Sequence, residues 1–127
     1  MAERIFRGQM EFDIVGVNEH EAVGEMEVTE AILNGFGTIQ AGALVWFADV
    51  VAMSLVLGDE QPQEGRDNFP VAVTLNAQLL GSCRDGHLVA RARWMMQEGD
   101  VLAVRTKVRD AEGRVLLDLT STLVGAH

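Results

Sequence analysis

The sequence predicts a single α+β domain, 1–127, in which a curved antiparallel sheet wraps one long central helix. Two observations carry that prediction. Residues 41–57 form an apolar run in which only Asp49 and Ser54 have polar side chains. Stretches of period-two alternation flank that run, two before it and four after it, separated by turn-forming residues. A long apolar helix needs cover, and a curved sheet wrapped round it would bury its whole circumference.

Taken in order, a short amphipathic opening at 2–8 precedes alternating stretches at about 9–17 and 21–29. In the second, Ala22, Met26 and Val28 face one way and Glu21, Glu25 and Glu27 the other. Segment 31–40 holds Gly35 and Gly37 and reads as a connection into the helix, which Gly58 ends. Residues 59–68 form a polar loop of a kind that is often mobile. Strands are expected at 69–80, 88–97, 101–109 and 115–124, with turns at 84–86, 98–100 and 110–113. Short connections of this kind predict an antiparallel meander of those four strands.

At 127 residues the chain can bury a core without staples, and 48% hydrophobic with 23% charged residues excludes disorder. The lone Cys83 cannot form an intramolecular disulfide and suits a reducing compartment; beside a turn, it reads as an inert thiol. The N-terminus is too polar for a secretory signal, and 41–57 falls short of the roughly 20 residues a bilayer requires, so the cytoplasm is the expected location. A net charge of −9 argues against nucleic acid as a general partner. The charge is uneven, however: residues 1–30 are acid-rich and 82–114 base-rich, so an anionic ligand should meet the second half. There is no Gly-x-Ser-x-Gly elbow, and Gly35-x-Gly37 lacks the third glycine of a dinucleotide loop. His20, His87 and His127 show no metal-ligand spacing, so neither metal nor cofactor is expected.

Asp49 is the most informative residue. A carboxylate in the middle of an apolar helix loses hydration, which hydrogen bonds or a partner must replace, or else its pKa climbs. Its alternatives are a buried acid bonded to neighbouring backbone and an interface acid facing water.

The segment Asn34-Gly-Phe-Gly-Thr-Ile-Gln-Ala-Gly-Ala-Leu-Val-Trp-Phe-Ala-Asp49 resembles the signature of hotdog-fold acyl-CoA thioesterases, in the branch of the phenylacetate-pathway and 4-hydroxybenzoyl-CoA enzymes. The order of two strands, loop, long helix and four strands also matches that fold, and 69–76 resembles the strand after the helix. The resemblance implies that Asp49 activates water or attacks the thioester carbonyl, that the Ala41 backbone N–H polarises that carbonyl, and that Asn34 helps to hold the reacting groups. Gln40 stands where the family has the histidine of His-Gly-Gly; it can hydrogen-bond but cannot carry a proton near neutral pH. Gly42, Thr74, Arg91, Arg93 and Lys107 are the expected substrate-binding residues, with CoA as part of the substrate.

The residues themselves support the same chemistry. A helix N-terminus offers unpaired N–H groups and a positive dipole end to an oxyanion, and Ala41 and Gly42 leave room for approach. Ala41 and Asp49 are eight residues apart, about 12 Å along the axis. Two such groups reach one carbonyl only if different subunits supply them, which makes a homodimer or dimer of dimers the expected state. With 98–100 as a three-residue turn, Gln97 lies opposite Val101, Arg93 opposite Arg105 and Arg91 opposite Lys107. Like charges facing each other are destabilising. Either CoA phosphates neutralise them, or acids such as Glu25 and Glu27 do. Trp46, Phe47, Met53 and Trp94 read as core, with some able to line an acyl or aryl pocket. The sequence leaves two alternatives: a non-catalytic acyl-thioester binding module and, further off, a dehydratase of the same fold.

Overall fold

Alternating burial turns the period-two stretches into strands with one face on the core. In β2 (Glu21–Glu27), Ala22 and Met26 are buried while the glutamates point away. The computed structural model describes residues 9–58 and 70–125; the opening at 2–8, the polar loop at 59–68 and His127 lie outside the described residues. The elements are β1 (Asp13–Val17), β2, a 3₁₀ turn (Glu30–Ile32), α1 (Ala41–Leu57), β3 (Val71–Leu79), β4 (His87–Glu98), β5 (Val101–Arg109) and β6 (Val115–Val124). All six strands join one antiparallel sheet in the order β1-β2-β4-β5-β6-β3, with α1 packed on one face.

That order corrects the expected four-strand meander. β4, β5 and β6 do follow one another, but β3 pairs with β6 and β4 pairs with β2. The connection 80–86 crosses the end of the sheet instead of closing a hairpin. Leu80 and Gly81 donate their N–H groups to the Leu116 carbonyl at 2.9 and 3.3 Å, and Arg114 Nη2 donates to the Ser82 carbonyl at 2.9 Å. A Cβ at Gly81 would come within 3.1 Å of Leu116 Cδ2, so the crossing lies tight against β6. The Arg84-Asp-Gly86 turn is present, with Gly86 at φ +105°, but it closes that crossing.

Helix α1 buries Leu44, Phe47, Ala48, Val51, Ala52 and Leu55, a stripe at three- and four-residue spacing. Each large member contributes about 1.5–3 kcal/mol by leaving water. The expected burial of the whole circumference does not occur: a single sheet meets one side of a cylinder, and the other flank is half-buried or exposed. Trp46, expected in the core with Phe47, is 48% exposed and rests edge-on against Phe12 at 4.8 Å. Trp94 is half-buried, and its indole N–H donates to the Glu19 carbonyl at 3.1 Å.

Gly24 lets the helix approach β2. A Cβ there would lie 2.6 Å from Val51 Cγ2 and 3.1 Å from Phe47 Cε1. Gly24→Ala should therefore cost about 1–3 kcal/mol by overpacking, read as a lower urea midpoint with unchanged m-value. Val51→Ala in the same chain should recover part of that loss; strictly additive losses would show that the helix does not press on this glycine.

Candidate active site

The segment before the helix is a closed turn organised by Asn34. Its Oδ1 accepts the N–H groups of Phe36 (2.9 Å) and Thr38 (3.2 Å), while its Nδ2 donates to Thr38 Oγ1 at 3.0 Å. Backbone bonds from Asn34 N to Thr38 O (2.7 Å) and Gly37 N to Asn34 O (3.0 Å) complete it, with Gly37 at φ +78°. Asn34 thus builds the turn that delivers the chain to the helix, the common use of an Asn-Gly pair.

Gln40 is the exposed residue preceding the first helical turn. Its backbone carbonyl accepts from Ala43 N (3.1 Å) and Leu44 N (3.3 Å), and its own N–H donates to Ile32 O at 2.8 Å. Its side chain makes no cap bond; Nε2 reaches only the Leu33 carbonyl, at 3.5 Å. The N–H groups of Ala41 and Gly42 find no acceptor among the described residues, and both residues are exposed. A Cβ at Gly42 would meet no atom within 4 Å, so open space lies in front of these donors. They are the orphan N–H groups of a helix start, aligned with its positive dipole end.

Asp49 lies on the flank of α1 turned away from β2. At 100° per residue it is about 160° round the axis from both Phe47 and Val51, the two residues that bear on Gly24. It is half-buried, and no described residue hydrogen-bonds or ion-pairs with it. Burial pushes its carboxyl above the ordinary value of 3.8. Of the two outcomes open to an acid in an apolar helix, replacement bonds or a raised pKa, the described residues supply the second. Gly42, seven residues earlier, shares its face. Gly42 and Asp49 thus mark one helix flank, with the donors of Ala41 and Gly42 at one end and, about two turns on, an acid without a partner among the described residues.

The other expected site residues lie elsewhere. Arg91, Arg93, Arg105 and Lys107 alternate with Ala92 and Thr106, which are buried beneath the helix, so the cations occupy the opposite face of the sheet. Thr74 is on that outer face too, opposite Thr122. Within one chain the sheet separates all of these from Asp49. The expected pairing of Arg91 with Lys107 and Arg93 with Arg105 is present. The turn is one residue shorter than expected, however: Glu98 faces Val101 across Gly99 (φ +58°) and Asp100, and a bulge between Trp94 and Met96 restores the register.

Acids do meet these cations, as one of the two expectations had it, but they are not the two named examples. Glu25 and Glu27 lie beside His87, each at 3.6 Å. Glu21 instead receives Arg91 at 3.3 Å and Arg93 at 3.2 Å, and Asp118 takes Arg105 in a two-point bond at 3.0 and 2.6 Å. The Arg105 bond, ahead of Lys107 and Arg109, holds the Asp118 carboxyl below its usual range. Glu21 and Asp118 went unrecognised in the sequence because their roles depend on which strands are neighbours. No group of described residues has the composition to hold a metal ion, and burial pushes the Cys83 thiol up, away from a reactive thiolate. No helix among the described residues is long and apolar enough to cross a membrane.

An acid whose folded pKa exceeds its unfolded value costs stability as pH rises. The cost is absent well below 3.8, grows above it, and is complete above the folded pKa. Asp49→Asn should therefore raise the thermal midpoint at neutral pH, and the gain should vanish on acidification below about pH 4. A constant difference across that range would show that Asp49 ionises without penalty.

No family model matches the sequence, and neither does any curated protein. Solved structures do match. A mutant form of a thioesterase enzyme from Staphylococcus aureus superposes with a TM-score of 0.82 at 17% identity, over 93% of this chain and 95% of that one. A thioesterase from Haemophilus influenzae gives 0.77 at 21% identity, over 91% and 78%. A phenylacetic acid degradation-related protein from Ralstonia eutropha gives 0.76 at 24% identity, over 89% and 83%. Likeness at these identities speaks for the path of the backbone. With one antiparallel six-stranded sheet packed on a single long helix, the chain has the hotdog fold.

Proposed function

We propose that this protein is an acyl-CoA thioesterase. The observation that carries the reading is the α1 flank: a half-buried carboxylate without a described partner, on the same helix as two free N–H groups facing open space. Two of the structures it resembles are thioesterases by name. A carboxylate with a raised pKa is a better general base near neutral pH than an ordinary one. In the proposed reaction Asp49 takes a proton from water, whose oxygen attacks the thioester carbonyl. The tetrahedral oxyanion is held by the Ala41 N–H, helped by the dipole of α1. Collapse breaks the C–S bond and releases CoA thiol with the returned proton and the free acid; direct attack by Asp49, followed by hydrolysis of the anhydride, gives the same products. Gln40 would orient groups without proton transfer, and Asn34 would act through the turn it holds.

The distance along α1 is too long for the acid and the oxyanion donor of one copy to reach the same carbonyl, which supports a homodimer or dimer of dimers as part of the proposal. β3 supports it. This edge strand is exposed on both faces and presents Val71, Val73, Leu75 and Leu79, at 46–56% exposure. An apolar edge strand of this length invites pairing with another chain.

The second reading is a non-catalytic acyl-thioester binding module, favoured by one residue: Gln40 cannot shuttle a proton. A dehydratase fits less well, because that chemistry pairs a histidine with an acid. CoA belongs to the substrate, and neither the reaction nor the residues present call for a further cofactor.

Thiol release from short, medium, long-chain and aryl acyl-CoAs should reveal turnover that Asp49→Asn lowers by about 100-fold or more. Tight acyl-CoA binding without turnover in the wild type would establish the binding module. Gln40→His should leave the rate profile across neutral pH unchanged if the residue only orients groups; a new ionisation in that profile would give the position a proton-transfer role. Sedimentation at micromolar concentration should find a dimer that Leu75→Asp dissociates with loss of activity. An active wild-type monomer would remove the shared site.

A further inference from the structure

The outer face of the sheet carries a second feature that the proposed reaction does not use. Arg91, Arg93, Arg105, Lys107 and Arg109 line one cavity of about 360 Å³ on that face. The register packs them closely: Arg91 faces Lys107 and Arg93 faces Arg105 across β4 and β5, at the roughly 5 Å spacing of paired residues. Their count exceeds that of the acids within reach. Glu21 is shared by Arg91 and Arg93, Asp118 is taken by Arg105, and Lys107 and Arg109 make no ion pair among the described residues. Among the described residues, five cations share two carboxylates as ion-pair partners, on a chain whose net charge is −9.

Such an arrangement costs stability through like-charge contact unless something returns the energy. Opposite-charge attraction at long range would spread the cations among the nineteen acids of this chain; here β4 and β5 gather them instead. Two of the existing pairs are loosely held. Arg91 and Arg93 are more than half exposed and share one acid, so exchanging Glu21 for another anion costs little. Arg105 is held differently, its guanidinium fixed in two-point contact with Asp118. The face therefore offers one oriented guanidinium, two that can swing, and two cations, Lys107 and Arg109, that feel the Asp118 charge without an ion pair among the described residues. Planar guanidiniums suit paired phosphate oxygens, and an ammonium adds a point charge.

We infer that this cavity is a binding site for a polyphosphate, a ligand with at least two linked or neighbouring phosphate groups. A single carboxylate or monophosphate would leave cations opposed; two phosphates would reach both cross-strand pairs. Because the sheet separates the site from Asp49 of the same chain, binding here is independent of the thioesterase reading. Two sources have the required chemistry: a free nucleoside polyphosphate, or the phosphorylated tail of CoA, whose assignment alone rests on that reading.

The test is titration calorimetry with inorganic pyrophosphate, 3′-phospho-ADP and CoA on the intact protein, none of which requires turnover. Pyrophosphate should bind, and more weakly as salt rises, because the contact is charge on charge. Lys107→Gln combined with Arg109→Gln should weaken it by about tenfold or more, while Lys107→Arg with native Arg109 should retain it. CoA and 3′-phospho-ADP of equal affinity would mark a site for free nucleotides, since the pantetheine arm then adds nothing. CoA tighter by about tenfold would mean that one molecule spans this site and an arm site. Absence of pyrophosphate binding to the wild type, or equal binding to wild type and the double variant, would overturn the inference.

Discussion

How α1 lies on its sheet determines the rest of the molecule. The helix is apolar around most of its circumference, so hydrophobicity alone does not choose which side faces in. Gly24 makes that choice locally. Without a side chain at that position, β2 admits Phe47 and Val51 to close contact, and the stripe from Leu44 to Leu55 follows onto β4, β5 and β6. Once that stripe is seated, helical geometry turns Asp49 to the far flank, with Gly42 in line. The carboxylate is then half-buried without being enclosed, which raises its pKa while leaving it reachable. A rotation of the helix by one residue would either bury the acid against the sheet or release it to water.

The sheet also separates two electrostatic environments. On its helix side a half-buried carboxylate and two backbone donors of the helix start lie about two turns apart along α1. On its outer side, cations from β4 and β5 outnumber the acids beside them. Charge that looked like one uneven distribution along the chain is thus two distributions in space, divided by a layer of Ala90, Ala92, Thr106, Val108 and Leu119. The acid-rich first part of the chain contributes to the outer side: Glu21 to the arginines, Glu25 and Glu27 to His87.

Much of the candidate site's layout was legible in the sequence. Asp49 stood out because a charged residue in an apolar run is locally anomalous, and the glycines and Gln40 before the run marked where the helix begins. The Arg91–Lys107 and Arg93–Arg105 pairs were also foreseen, although by a turn one residue too long and without the bulge that compensates for it. A bulge leaves the two-residue alternation visible on both sides of itself, so the pattern that predicts a strand passes over it. Asn34 shows the converse. Its sequence context fits a turn residue and a site residue equally, and in the fold its side chain is committed to Phe36 and Thr38.

What the sequence determined by itself was local: the strands from their alternation, α1 from its length and apolarity, the turns from their glycines, and the one acid that lacks an evident reason to be where it is. Tertiary structure alone decided that β3 crosses to β6, that Trp46 stays outside the core, and that the arginines lie across the sheet from Asp49. The division has a physical cause. Periodicity and turn chemistry express interactions between residues a few positions apart, whereas strand order and helix rotation depend on contacts between residues far apart in the chain, such as Gly24 with Val51 and Gly81 with Leu116. Only when those contacts form does the chain have an inside, and only then is one flank of the helix left uncovered.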